Sequence, residues 1–290
     1  MPLPETKIRI GIIGGSGLYD IEELKNVHEI TPETPFGRPS DIIVCGELGG
    51  VPVAFLPRHG RGHVHTPTEI PQRANIYALK ALGVETLISV SAVGSLREEL
   101  APRHMVFPDQ LVDKTFLRKS TFFGNGIVAH AVFAHPFCDR LGDMLYKYAV
   151  ELGITCHRGG TLVTMEGPQF STKAESLMHR QLGYDLIGMT TAPEAKLARE
   201  AQMCFVPVSL VTDYDSWKEG EEVTPGQIVS NLQHNAEAIR NLLVKAVPQI
   251  AAAKRDCHCA GMMKGAILTK KELLPPETAR KLGPLLEGIL

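Results

Sequence analysis

Eight short segments of this chain are apolar almost without interruption, at 7–13, 41–45, 51–56, 85–91, 105–112, 160–165, 185–189 and 204–212. A strand that is apolar at every position is buried on both faces, so the sheet it joins must be covered by helices. Helical periodicity fills the intervals. In 139–152, Leu141, Met144, Leu145, Tyr148, Ala149 and Leu152 share one face, and Gly153 stands where a left-handed stop is expected. Thr172 with Glu175 predicts a capping box opening a helix that ends near Gly183, and Thr191 with Glu194 repeats the pattern. Thr224-Pro225 opens a last long helix with Ile228, Leu232, Ile239 and Leu243 on one stripe. The fold class is α/β.

The domain reading is one catalytic unit over 1–250, followed by a Leu-rich extension over 251–290 that packs on the core or on a neighbouring subunit. A net charge of −2 over 290 residues offers no global field for nucleic acid or anionic lipid. No apolar run approaches the roughly 18–20 residues that span a bilayer. The opening MPLPETKIRI has no apolar core of the signal-peptide kind, which points to a cytoplasmic protein. Cys45, Cys138, Cys156 and Cys204 read as dispersed buried thiols, while Cys257-His258-Cys259 stands apart.

The chemistry gathers where strands end. Gly14-Gly15-Ser16-Gly17 follows the first strand, and its backbone N–H groups and Ser16 hydroxyl suit an anion. A dinucleotide-binding loop is excluded in detail, because Asp20 occupies the place of the third glycine. Arg58, His59 and Arg61 alternate with glycines after the third strand, and an arginine fork matches phosphate oxygens. A metal reading of His59, His63 and His65 lacks a carboxylate at matching spacing. Ser91-Ala92-Val93-Gly94-Ser95 is a third small-residue turn with free donors. Three such turns predict a bound phosphate, and the absence of a G-x-x-x-x-G-K-[ST] loop argues against a nucleoside triphosphate.

Three further strand ends carry organic-ligand chemistry. Met165–Phe170 brings an aromatic ring for stacking, Met189-Thr190-Thr191 opens a helix, and Asp213-Tyr214-Asp215 ends the most apolar strand. Buried carboxylates need partners, and a purine with a 6-amino group supplies them: N6–H donates to one, and N7 receives a proton from the other.

The blocks GIIGGSGLYD, TPFGRPSD, PRHGRGH, QRANIYALK, SAVGSLREE, EGPQFST, MTTAPEAKLARE and TDYDSWKE resemble the methylthioadenosine phosphorylase branch of the trimeric purine nucleoside phosphorylase family. The resemblance implies a three-layer α/β/α fold around a mixed, partly barrel-like sheet, and a homotrimer or dimer of trimers. It implies phosphorolysis of 5′-methylthioadenosine, with phosphate as co-substrate and no metal or organic cofactor. It places phosphate on Ser16, Arg58, His59, Ser91, Ala92 and Thr190, the ribose on Met189, the base on Phe170, and the purine edge on Asp213 and Asp215. His130 corresponds to a residue reaching the 5′ end of the substrate in an adjoining subunit. Ser171, Gly226, Val229 and Ser230 fall at the 5′ pocket. Ser230 and Gly226 are less apolar than a strict methylthio pocket, which leaves adenosine or a broader purine range open. Rival readings are a phosphate-independent nucleosidase, a metal-dependent deaminase and a non-enzymatic nucleotide sensor. The Cys-x-Cys pair is associated in some heat-resistant members with disulfides, and a zinc site needs more ligands than this element supplies.

Overall fold

A computed structural model of the chain describes residues 7–15, 22–221 and 224–289. Its centre is a mixed sheet of eleven strands. In chain order these are β1 (Ile10–Gly14), β2 (Leu24–Ile30), β3 (Ile43–Leu48), β4 (Val51–Pro57), β5 (Thr86–Ser95), β6 (Met105–Phe107), β7 (Gln110–Asp113), β8 (Cys156–Arg158), β9 (Thr161–Thr164), β10 (Leu186–Gly188) and β11 (Cys204–Asp213). The helices are α1 (Gln72–Ala81), α2 (Asp139–Glu151), α3 (Lys173–Gln181), α4 (Thr191–Glu200), α5 (Pro225–Ala252) and α6 (Pro276–Leu282).

The sheet forks at β5. One edge of this strand pairs with β11 from Thr86 to Gly94. The other pairs with β1 only as far as Ser89 and with β10 only from Gly94. Among the described residues, no strand faces that second edge from Val90 to Val93, and the gap is where β1 and β10 diverge. Two apolar layers cover the sheet. Ile10, Ile12, Phe55, Ile88 and the β11 residues Val206 and Val208 pack under α2 and α5. Ile13, Leu56 and Leu87 pack under α1 and α4. This is the three-layer arrangement that doubly buried strands require.

Several sequence expectations are adjusted. The predicted strand 105–112 is two strands, because Pro108 lacks an N–H and ends the ladder. Strands β2 and β8 escaped the pattern. Strand β2 is an exposed edge with a register shift between Lys25 and His28, and β8 has three residues. The Thr172–Glu175 capping box is present in full. Its supposed repeat is absent: the residue before α4 is Thr190, with no side-chain cap, and Glu194 turns inward.

The segment after α5 returns to the core. Met263, Ala266, Leu282, Leu285 and Leu286 join the same apolar cluster as α1 and α4. Among the described residues, no helix is long and apolar enough to cross a membrane.

Candidate active site

The fork in the sheet organises the predicted site. Arg58 N donates to Gly14 O at 2.9 Å, which joins the first two anion-friendly turns. Gly94 pairs with Ile187 on one side and Asp213 on the other. A Cβ at Gly94 would lie 2.9 Å from Asp213 Oδ1 and 3.3 Å from Asp215 Cβ, so only glycine lets the two acids close over β5. Met165 N donates to Gly188 O, and a Cβ at Gly167 would lie 2.5 Å from Met189 Sδ. Ser216 Oγ donates to Ser171 O at 2.7 Å, tying the aspartate turn to the Phe170-Ser171 turn. Four separate strand ends thus meet. Ser16 lies outside the described residues.

The register of β11 slips between Val211 and Asp213, a bulge that re-aims the two acids. Asp213 is buried; its Oδ1 accepts from Asp215 N and its Oδ2 from Thr212 Oγ1. Burial, reinforced by the neighbouring Asp215 charge, raises its carboxyl above the usual range against those two hydrogen bonds. Asp215 adopts a left-handed backbone (φ 50°), and its buried Oδ2 has no hydrogen-bond partner among the described residues. A buried acceptor without a partner is costly and calls for a donor. On β5, three positions before Gly94, Ser91 Oγ is likewise buried and unpaired among the described residues, in the part of the strand that faces the gap. Ala92 beside it is exposed in mid-strand.

Arg58 differs from expectation. Its guanidinium, 2% exposed, sends Nε and Nη2 to the fully buried Glu194 at 2.5 and 3.2 Å, Nη2 also to Ser89 Oγ, and Nη1 to Val90 O. The fork expected for an anion is occupied by Glu194, leaving one Nη1 hydrogen. Nothing in the sequence flagged Glu194 for this role, since it mimics a capping residue.

His59 Nδ1 lies 2.9 Å from His65 O, and its ring stacks on His63 at 4.2 Å. Burial, with Arg58 and two histidines nearby, pushes its pKa down to about 4 despite the His65 carbonyl bond. With the proton on Nδ1, Nε2 presents a lone pair that accepts a hydrogen from a protonated anion. Thr190 is buried at the start of α4, whose first-turn N–H groups carry partial positive charge.

Glu166 is a second unflagged residue. It accepts from Thr68 Oγ1, Phe116 N, Leu117 N and Arg118 Nε. Burial raises its carboxyl, but these four donors win and bring it down to about 2. Arg118 also donates from Nη1 to Met189 O, so this network braces the predicted ribose residue.

Phe170 is 47% exposed beside a cavity of about 480 Å³ lined by Lys173, Ser216, Lys218 and Glu219. Ser171 is buried, and its hydroxyl touches Met165 Sδ at 3.7 Å. Gly226, Val229 and Ser230 are exposed on the first turns of α5, which docks on the end of β11 through Asn231 Nδ2 to Thr212 O. His130 is exposed, and its N–H donates to Ala266 O of the C-terminal extension; no described contact links it to the residues at the fork.

The cysteine reading is also corrected. Cys138 and Cys204 are not isolated thiols, because the fold sets both against Cys257 and Cys259.

A sequence profile of the Phosphorylase superfamily matches residues 9–248. The S-methyl-5′-thioadenosine phosphorylase of Geobacter sulfurreducens is 52% identical over 275 residues, covering 94% of this chain and 96% of that protein. The crystal structure of a methylthioadenosine phosphorylase from an Antarctic soil metagenomic library matches with a TM-score of 0.93 and 48% identity, covering 97% of this chain and all of that one. A mutant adenosine/methylthioadenosine phosphorylase from Schistosoma mansoni, crystallised with methylthioadenosine, matches with a TM-score of 0.80 at 37% identity over 86% of this chain and 93% of that one.

Proposed function

The chain belongs to the Phosphorylase superfamily, and from that membership we propose that it is a cytoplasmic pentosyltransferase converting 5′-methylthioadenosine and phosphate to adenine and 5-methylthioribose 1-phosphate. One observation carries the reading. Ser91 Oγ and Asp215 Oδ2 are buried and unpaired along the same stretch of sheet, with Asp213 opposite Gly94. Gly94 lies three strand positions beyond Ser91, about 10 Å, which leaves room for a pentose between an oxyanion and a purine.

In this reading phosphate sits in the gap beside β5, against Ser91, Ala92, His59, Thr190 and the free Nη1 hydrogen of Arg58, and the family resemblance assigns Ser16 to the same anion. Met189 meets the ribose and Phe170 the base. One phosphate oxygen forms a bond to C1′ as the C1′–N9 bond breaks. Positive charge on the sugar is met by the phosphate dianion, and negative charge on the purine by a proton passing from Asp213 to N7. Asp215 accepts from the 6-amino group. The neutral His59 favours a hydrogen-bearing phosphate, since Nε2 accepts.

The 5′ end supports a second reading. Among the described residues, Ser171 Oγ meets only the Met165 thioether, and it can pair with a 5′-hydroxyl, so adenosine is also accepted. Inosine is disfavoured, because its 6-oxygen would face the Asp215 acceptor at a cost of ~1–3 kcal/mol. Assembly as a trimer or dimer of trimers fits Phe116 and Leu117, apolar and 77% and 65% exposed, on the connection that also carries His130.

Turnover of methylthioadenosine, adenosine and inosine with and without phosphate tests these statements together. Adenine and a sugar 1-phosphate should form only with phosphate, and inosine should be the poorest substrate. Free base in phosphate-free buffer would convert the enzyme to a nucleosidase.

A further inference from the structure

Four cysteines far apart in the chain, Cys138, Cys204, Cys257 and Cys259, place their Sγ atoms all within 4.8 Å of one another. Cys204 Sγ and Cys257 Sγ are 3.2 Å apart, and all four are free thiols. A disulfide would bring two sulfurs to about 2.05 Å. A tetrahedral tetrathiolate with metal–sulfur bonds of about 2.3 Å has sulfurs about 3.8 Å apart. The observed grouping is of the second kind: four mutually close sulfurs, not two bonded pairs.

The surroundings suit a thiolate cluster. Arg255 Nε donates to Cys204 Sγ at 3.2 Å, and the Arg140 guanidinium faces Cys204 and Cys257. Four thiolates around a divalent ion leave a net charge of −2, and two guanidinium groups offset it. Outer-shell donors of this kind orient and tune metal-binding sulfur. Cys138 also stands at the N-cap of α2, where the helix end favours negative charge.

We propose that these cysteines form a closed, structural site for a tetrahedral thiophilic divalent cation, Zn²⁺ foremost. Binding replaces four S–H bonds with four metal–sulfur bonds and releases four protons to solvent. All four positions are filled by protein, which leaves none for substrate. The site also lies at the opposite end of β11 from Asp213, about 30 Å along the strand. Its task is to clamp the start of the C-terminal extension onto α2 and β11.

The test begins with the full-length protein purified under reducing, chelator-free conditions. Elemental analysis should give one zinc per chain, and titrating the thiols with a mercurial should release it. The reduced, metal-stripped protein should bind one Co²⁺ with thiolate-to-cobalt charge-transfer absorption. Cys257→Ser and Cys259→Ser should each lower metal content at least tenfold and lower Tm, with phosphorolysis near the parental rate; Cys45→Ser, outside the cluster, should retain its zinc. Reduced wild-type protein that takes up neither Zn²⁺ nor Co²⁺ overturns the proposal. So does metal that persists at full stoichiometry in the Cys257→Ser/Cys259→Ser double variant. The wild-type titration decides the matter even where a variant fails to fold.

Discussion

At the scale of single residues, the proposed reaction places its proton transfer on Asp213. A carboxyl whose pKa is raised in the folded state contributes stability that is complete below its unfolded pKa and is lost as pH rises through the folded value. Its charged form is therefore a burden on the fold, and in the proposed reaction its acid form is the one that gives the proton. Asp213→Asn should lower kcat by about 10²–10⁴-fold, the range of a lost general acid, and should raise Tm at pH values where Asp213 is ionised. Kinetics and melting on one preparation check both halves. Normal turnover would remove Asp213 from the reaction, and a lower Tm would contradict the burial argument. Both aspartates were legible in the sequence, because paired acids at the end of an apolar strand have few structural uses. Glu166 and Arg118 were not: their pairing spans 48 residues and depends on how two loops fold together.

Between elements, the Arg58–Glu194 pair fastens the end of β4 to the first turn of α4 in a dry interior. Removing one member of such a pair leaves the other charged and unpaired, at a cost of about 3–5 kcal/mol. Glu194→Ala should lose stability of that order in denaturant unfolding, and Glu194→Gln less. Pairing with Arg58→Ala should cost less than the sum of the single changes. A loss under about 1 kcal/mol for Glu194→Ala would mean that the site tolerates a bare guanidinium. The strand-and-helix alternation was readable because doubly buried strands carry no polar positions. Strand β2 was not, since five of its seven residues face solvent and a sheet edge tolerates almost any sequence. Glu194 misled for a local reason: three residues after a threonine it has the spacing of a cap, and only the tertiary fold turns it towards an arginine 136 positions away.

For the molecule as a whole, Glu166 ties together the loop carrying Thr68, the loop 116–118 and, through Arg118, the end of β10. Its pKa falls from an ordinary 4.5 to about 2. A depressed carboxyl adds stability above its unfolded pKa and loses it as pH drops through the folded one, so this network weakens between roughly pH 4.5 and 2. Acid unfolding followed through the single Trp217, whose Nε1 donates to Ser95 O, should show that dependence. Glu166→Gln should flatten it, and an unchanged slope would move the acid sensitivity elsewhere. The cysteine cluster marks the limit of linear reading, because residues 138, 204, 257 and 259 become neighbours only after α2, β11 and the extension have docked.

The extension has a consequence for biosynthesis. Leu282, Leu285 and Leu286 complete the apolar layer over α1 and α4, yet they are translated long after the strands they cover. While the ribosome still holds that stretch, Ile13, Leu56 and Leu87 lack part of their cover, however long the preceding strands have been free to pair. The nascent polypeptide therefore cannot close its interior before that stretch emerges, and the waiting surface is the kind that chaperones recognise.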